Sequence, residues 1–287
     1  MRGAFGVATF AGAACDSSAI VPLEPGAASV TGTGTGTAEQ AAFHIVESST
    51  TSLYPISAGR SIAVDIRHRT VECVGAQGET CWSIADGTFA GPVLALEWQN
   101  SIAVVDRGGS VILLTEEGQV AGRLPADAQL SSPAGAAVLP DGRLAVSDTL
   151  GHRVVAFDAA GVMTTIFEDP DGQGTVLNTP RGLAVDADGN LHIVSGGNAR
   201  IEVVTAAGRW VRSYGGIASG LASPRGIAID EAGRALVADP VAGALFAFQD
   251  GVVLERHVVT REDGFAAAPS DVTVLADGSV RIALANV

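Results

Sequence analysis

Lysine is absent from this chain, and cysteine, histidine and aromatic residues are scarce. All 17 basic residues are arginines against 31 aspartates and glutamates, which gives a formal net charge of −14. Such a chain lacks the clustered basic surface that sequence-independent binding to nucleic acid requires. No apolar run reaches the ~20 residues of a membrane-spanning helix. We therefore expect no nucleic-acid partner and no spanning helix.

A repeated unit of four short apolar runs accounts for most of the sequence. It is clearest at Thr179–Gly216 and returns at Ser132–Glu168 and Ser223–His257. Turn-forming segments such as Asp-Ala-Asp-Gly and Ser-Gly-Gly-Asn separate the runs, as in a four-stranded antiparallel meander. A period of roughly 40–50 residues with four strands per unit is typical of a propeller blade.

Six such units fit the 287 residues, and the last one is incomplete. The sequence predicts an all-β, six-bladed propeller of four-stranded antiparallel blades. The sixth unit holds only Val272–Leu275 and Val280–Leu284, which would leave an open sheet edge. We expect Ala42–Glu47 to complete this last blade as its outermost or next outermost strand and so to close the ring.

The first 40 residues differ from the rest in composition. Residues 1–14 have one basic residue followed by small and apolar ones, and they resemble a short bacterial lipoprotein signal peptide that is cleaved before Cys15. Lipidation at Cys15 is one interpretation, and a terminus or outer strand with a buried cysteine is the other. Residues 15–40 are rich in Ser, Thr and Gly and predict a flexible tether, although Ala28–Thr31 could add an outer strand. The propeller would then occupy residues 41–287.

The repeats carry a family resemblance. The run Pro180-Arg-Gly-Leu-Ala-Val-Asp186 and the segment Gly151-His152-Arg153-Val154 resemble NHL repeats, over roughly Ser132–Val258. The resemblance implies the propeller fold, and it implies little about activity because one scaffold hosts enzymes and binding modules alike.

The repeated residues have structural explanations. Gly135, Gly182 and Gly226 stand where inner strands crowd the axis, so a side chain would not fit. Asp106, Asp148 and Asp239 end second strands and are expected to accept hydrogen bonds from turn amides. Arg153 and Arg200 open third strands and are expected to pair with such acids.

Propellers of similar architecture include enzymes that work in the central channel, such as amidating lyases, gluconolactonases and strictosidine synthases. The metal-dependent ones gather acidic or histidine ligands from several blades. Here the five histidines occupy different repeat positions, and His152 and His192 are interpreted as structural. We therefore expect no cofactor and no metal.

The favoured function is a non-catalytic scaffold at the bacterial cell envelope that binds a protein or glycan partner, lipid-anchored in the periplasm or on an outer surface. The alternative is a metal-dependent lyase or lactone hydrolase.

Binding residues are expected on the face where the blade-to-blade loops lie. The longest loop, Glu168–Thr175, carries Asp169 and Asp171, whose spacing resembles the start of a calcium loop but lacks its later ligands. Arg181 and Arg225 follow repeat prolines and have no core role. They would form a positive mouth on an acidic protein and anchor an anionic partner.

The last expectation concerns Cys73 and Cys81. They flank the turn of the outer hairpin of the first blade, and folding about Gln77 would set them opposite each other, at a separation suitable for a disulfide. A bulge could slip this register by one residue. The alternative is a pair of free thiols, as in a cytosolic protein.

Overall fold

The protein, as a computed structural model, is described at residues 28–33, 51–125, 130–168, 176–261, 265–275 and 277–285. These residues form an all-β propeller of antiparallel sheets, whose strands follow chain order outward from the channel except for β1 (Ala28–Thr33), which lies at the outer edge of one sheet. Four sheets have four strands, one has five, and the described part of the last sheet has two. The prediction of a propeller with four-stranded antiparallel blades is confirmed at this level.

The strands, numbered along the chain, fall into five blades and a partial sixth. Blade 1 contains β2 (Thr51–Pro55), β3 (Ser61–Asp65), β4 (Thr70–Val74) and β5 (Thr80–Ile84); blade 2 contains β6 (Pro92–Trp98), β7 (Ser101–Asp106), β8 (Ser110–Leu114) and β9 (Val120–Leu124); blade 3 contains β10 (Pro133–Val138), β11 (Leu144–Asp148), β12 (Arg153–Phe157) and β13 (Met163–Glu168). Blade 4 contains β14 (Pro180–Val185), β15 (Leu191–Ser195), β16 (Arg200–Val204) and β17 (Trp210–Gly215); blade 5 contains β18 (Gly226–Ile229), β19 (Ala235–Asp239), β20 (Ala244–Gln249), β21 (Val252–Arg261) and β1 (Ala28–Thr33); blade 6 contains β22 (Pro269–Val274) and β23 (Val280–Leu284).

Both faces of a blade are buried against its neighbours, which explains the continuous apolar runs. In blade 3, Val146 and Val155 pack in a cluster shared with blade 2. The adjacent residues Ala145 and Ala156 pack in a cluster shared with blade 4. Because successive residues of a strand point to opposite faces, a strand buried on both sides needs apolar residues at nearly every position.

Glycine allows the inner strands of neighbouring blades to meet around the channel. The Gly182 amide donates to the Arg225 carbonyl at 2.8 Å, and a Cβ on Gly182 would lie 2.6 Å from that oxygen. At Gly226 a Cβ would lie 2.5 Å from the Cα of Asp271. The sequence-based explanation of these glycines is confirmed.

The strand β1 lies at the outer edge of blade 5. It pairs with β21 in an antiparallel register that sets Val30 opposite Val259. The strand β21 continues beyond Val258, which is the last of its residues to pair with β20. This agrees with the alternative in which Ala28–Thr31 adds an outer strand. The segment Ala42–Glu47, Cys15 and the rest of residues 1–27 lie outside the described residues.

The outer hairpin of blade 1 corrects the disulfide prediction. Cys73 pairs with Trp82 and Val74 pairs with Thr80, so Cys81 is the extra residue of a bulge. The register has slipped by one residue, and the disulfide is not formed: Cys73 is buried, Cys81 is exposed, and both are free thiols. Burial, followed by the neighbouring Cys81 thiol, raises the pKa of Cys73 to about 11.

No helix among the residues described is both long and apolar enough to cross a membrane.

Candidate functional site

One face of the propeller collects two kinds of loop, the turns after second strands and the connections into inner strands. The Leu150 amide donates to the Ser131 carbonyl at 2.8 Å, the Gly196 amide to Thr179 at 3.3 Å, and the Arg107 amide to Gly91 at 3.0 Å. Each bond ties a turn after a second strand to the connection that enters the inner strand of the same blade. We call this the loop face.

Buried aspartates at the ends of second strands hold these loops in place. Asp106 accepts from the amides of Ala90, Gly91 and Gly108 at 2.7–2.9 Å. Asp239 likewise accepts from the amides of Ala222 and Ser223 and from those of Val241 and Ala242. The predicted role of these carboxylates is confirmed, and their oxygens are occupied by backbone donors.

The arginines that open third strands behave differently in blades 3 and 4. Arg153 pairs with Asp148 at 2.9 Å, as expected. Arg200 instead pairs with Glu202 on its own strand, because β15 ends at Ser195 and has no aspartate there. That serine accepts from the Asn178 amide at 2.9 Å in place of a carboxylate.

The central channel is a cavity of ≈ 570 Å³ lined by the inner strands of blades 1 to 5 and of the partial sixth blade. Most of its wall consists of backbone and small or aliphatic side chains. Five larger polar side chains also line it: Tyr54, Arg107, Arg181, Arg225 and Asp271. A cavity of a few hundred Å³ with a few converging polar groups is a typical ligand site.

Three of these side chains are arginines from three different blades. Arg181 is the second residue of β14, Arg225 immediately precedes β18, and Arg107 lies in the turn after β7. The Nε atoms of Arg181 and Arg225 are buried and have no hydrogen-bond partner among the described residues. Burial, and then the charges of Arg225 and Arg107, lower the pKa of Arg181. Burial and the charge of Arg225 lower the pKa of Arg107 in the same way.

The remaining two polar side chains join the ends of the ring. The Tyr54 hydroxyl lies 2.8 Å from Asp271 Oδ2 and 2.9 Å from the Val93 carbonyl, so it connects blades 6, 1 and 2. Burial raises the pKa of the Asp271 carboxyl. A neutral carboxyl can donate to the tyrosine oxygen while the tyrosine donates to Val93, which satisfies both groups with one proton each.

Sequence reasoning located part of this site. It placed Arg181 and Arg225 together, and the structure brings both to the channel mouth on the loop face. Arg107 was missed because no proline precedes it and its position in the repeat is not that of the other two. The predicted residues Asp169 and Asp171 lie outside the described residues. The Tyr54–Asp271 contact was also missed, although Asp271 stands where β10, β14 and the fifth repeat have glycine.

The loop face also carries exposed apolar side chains. Among the described residues, four of the five most exposed large hydrophobic side chains, between 66% and 83% exposed, lie in its loops: Leu150, Ile217, Val241 and Phe265. The fifth, Val252, is the first residue of β21 and lies on the opposite side. Scattered apolar residues are normal on a surface, but several on one face together with arginines are typical of an interface.

The histidines form local structural contacts. His192 is buried, with Nδ1 2.8 Å from the Tyr214 hydroxyl and Nε2 3.1 Å from Asp186. His152 Nδ1 accepts from the Thr179 amide at 3.3 Å. Within the described ranges, no three His, Cys, Asp or Glu side chains come together as a metal site would require.

Comparison with known proteins agrees with the repeat and the fold. Residues 130–157 match the NHL repeat. Over 133 residues the chain is 29% identical to protein brain tumor of Drosophila melanogaster, a match that covers 45% of this chain and 13% of that protein. The matched region is thus a small part of the relative.

Two solved structures share the architecture. Virginiamycin B lyase from Staphylococcus aureus superimposes with a TM-score of 0.65 at 13% identity, over 89% of this chain and 82% of that one. A nidogen/laminin complex contains a chain that matches with a TM-score of 0.61 at 17% identity, over 83% and 85% of the two chains. At these identities the similarity shows the fold, which enzymes and binding proteins share.

Proposed function

We propose that this protein is a non-catalytic interaction scaffold that binds a partner on the loop face. The observation that carries the proposal is the composition of that face, where Arg107, Arg181 and Arg225 surround the channel mouth and exposed apolar side chains occupy the nearby loops. Arginine and large apolar residues are enriched at interfaces because they combine apolar contact with directional hydrogen bonds. A protein or glycan with an anionic group fits this surface.

The test is retention of partners from the native cell envelope. We expect the wild-type protein to retain a partner that the R181E/R225E double variant loses. R209E is the matched control, since Arg209 is an exposed arginine in the β16–β17 turn on the opposite side. Arg209 is exposed, and Arg181 and Arg225 form no ion pair among the described residues, so thermal unfolding should change little in either variant. Equal retention by all three proteins would refute the proposal, and loss of folding would assign a structural role to the arginines.

The apolar loops allow a second, independent comparison. An I217S/V241S variant should lose the partner, whereas V252S, with a similarly exposed valine on the other side, should keep it. If the I217S/V241S variant retains the partner, the interface does not include this part of the loop face.

The lipoprotein-like start supports a location at the bacterial cell envelope. We infer cleavage before Cys15, lipidation of that cysteine and a tether that holds the propeller away from the membrane. Mass spectrometry of the native mature protein tests this directly, and an unmodified Cys15 would contradict it.

A complete six-bladed ring is part of the same proposal. Residues 34–50 connect the outer edge of blade 5 to the inner strand of blade 1, and blade 6 lies between these two blades. We infer that Ala42–Glu47 pairs with blade 6. Hydrogen exchange measured by mass spectrometry should then show protected amides in this segment, and exchange at the rate of an unstructured peptide would exclude the pairing.

An enzyme remains the second candidate because Asp271, with its raised pKa, faces the same cavity as the arginines. Perturbed carboxyl groups in a cavity are frequent in active sites. The lining does not fit a divalent cation, since one neutral carboxyl accompanies three guanidinium groups that would repel it. Elemental analysis of the purified protein tests this reasoning, and one stoichiometric divalent metal per chain would favour the enzyme.

A further inference from the structure

We propose that Arg107, Arg181 and Arg225 form one binding site for an oxyanion with two or more negative charges, of the phosphate, sulfate or polycarboxylate type. The inference rests on the proposed function, since the anion is the group by which a partner would be held at the channel mouth. It adds Arg107 to the two arginines expected from the sequence, and it specifies the chemistry of the ligand.

The first argument is the concentration of like charge. Three guanidinium groups from blades 2, 4 and 5 line one cavity, and none forms an ion pair among the described residues. After burial, the charges of Arg225 and Arg107 lower the pKa of Arg181, and the charge of Arg225 lowers the pKa of Arg107, as expected for guanidinium groups that repel each other. Repulsion of this kind is unfavourable in the empty site, and a bound multivalent anion would convert it into attraction.

The second argument is the state of the donors. The Nε atoms of Arg181 and Arg225 are buried without a partner, although a buried polar group normally has one. A planar guanidinium binds an oxyanion through two parallel hydrogen bonds, often from Nε and one Nη. The site therefore presents unsatisfied donors of the type that oxyanions accept from.

The third argument is the position of Arg181, which depends on a glycine. A Cβ on Gly196 would lie 3.1 Å from Nε and 3.2 Å from Cδ of Arg181. The same Cβ would lie 3.1 Å from the Pro224 carbonyl, so the turn Gly196–Asn198 packs closely against both the arginine side chain and the backbone before Arg225. An added Cβ would therefore shift the Arg181 side chain or its surroundings by a few tenths of an ångström.

Two acidic residues of the described ranges lie close to the site and do not neutralise it. Asp106 is buried and bonded to three backbone amides. Asp271 lies in the cavity, but its raised pKa favours the neutral form and it is bonded to Tyr54. The channel mouth therefore keeps a positive potential on a protein of net charge −14, and a cleft of one sign focuses such a field.

The dimensions and the overall charge limit the ligand. A channel cavity of ≈ 570 Å³ admits a small molecule or a single protruding group. A long polyanion would meet the acidic surface beyond the mouth. The fitting source is a free small anion or one anionic group that a partner inserts.

Calorimetric titration with sodium sulfate, phosphate and citrate tests the site, against sodium chloride at equal ionic strength. We expect saturable binding of at least one multivalent anion, weakened at least 10-fold by R107Q, R181Q or R225Q and unchanged by the control R209Q. G196A should also weaken binding while the protein stays folded by circular dichroism. Absence of saturable binding to all three anions, or equal binding by R181Q/R225Q and R209Q, would overturn the site.

Competition distinguishes the two sources of the anion. If the partner supplies it, a saturating concentration of the bound anion should release the partner from the wild-type protein. If a free small anion is the ligand, titration should show binding and the partner should stay. If the wild-type protein binds none of the three anions and the I217S/V241S variant still loses the partner, the anion site is refuted and the scaffold function is not.

Discussion

The contact between Tyr54 and Asp271 gives a sharp test of how the ring is held together. These two side chains connect the inner strands of blades 1 and 6, which are far apart in the sequence. Replacement of Tyr54 by phenylalanine removes the hydroxyl and leaves Asp271 and the Val93 carbonyl without this partner. Each lost hydrogen bond in a partly buried site costs about 1 kcal/mol, so Y54F should destabilise the protein by about 2 kcal/mol.

The variant D271N separates the hydrogen bond from the charge. An asparagine amide can donate to Tyr54 as a neutral carboxyl does, and its oxygen can still accept from the Val272 amide, which lies 2.9 Å from Asp271 Oδ1. We therefore expect D271N to be nearly as stable as the wild type at low pH. Because burial raises the Asp271 pKa above its ordinary value of 3.8, the stabilising neutral form is fully present below that value. It is lost as the pH rises through the higher pKa of the folded protein.

The assay is thermal and urea unfolding of the wild type, Y54F and D271N at several pH values from 4 to 9. For a domain of this size, 2 kcal/mol corresponds to a decrease of about 4–8 °C in Tm for Y54F. The wild type should lose stability relative to D271N as the pH rises. The reasoning fails if Y54F unfolds with the wild type, or if D271N is as unstable as Y54F and leaves the pH dependence unchanged.

Three further predictions follow from particular contacts. G135A should destabilise the protein by about 1–3 kcal/mol because its Cβ would collide with the Arg181 carbonyl of the next blade, whereas G122A, with its nearest atom 3.9 Å away, should be tolerated; equal melting temperatures would contradict this. In a C15S background the unreduced native protein should show one rapidly alkylated thiol, the exposed Cys81, and C81S should abolish the fast reaction; a single disulfide found by mass spectrometry would contradict it. Burial lowers the pKa of His192 below 6.5, so the stability that neutral His192 provides is present above that value and falls as the pH drops through the lower pKa of the folded protein; H192Q should reduce this acid dependence in urea unfolding, and an unchanged profile would exclude His192 as its source.

The fold was largely predictable because its signals are local. The aspartates that end second strands, the glycines after the repeat prolines and the apolar runs each reflect a contact within one blade or between adjacent ones. The register of the outer hairpin in blade 1 has a local cause as well, since the bulge that leaves Cys81 unpaired occurs between the third and fourth strands of blades 2 to 5 too. The partner of Arg200 was not predicted either, because it is the Glu202 side chain on the same strand and not an aspartate at the end of the second strand.

The sequence by itself determined the repeat, the strand order and the two arginines that share a repeat position. Only the tertiary structure decided which residues meet at the channel. Arg107 joins Arg181 and Arg225, and Asp271 meets Tyr54, because the curvature of the ring brings residues from distant blades to one axis. A linear pattern records the position of a residue within its own blade, whereas the chemistry of the channel depends on how the blades are arranged around the ring.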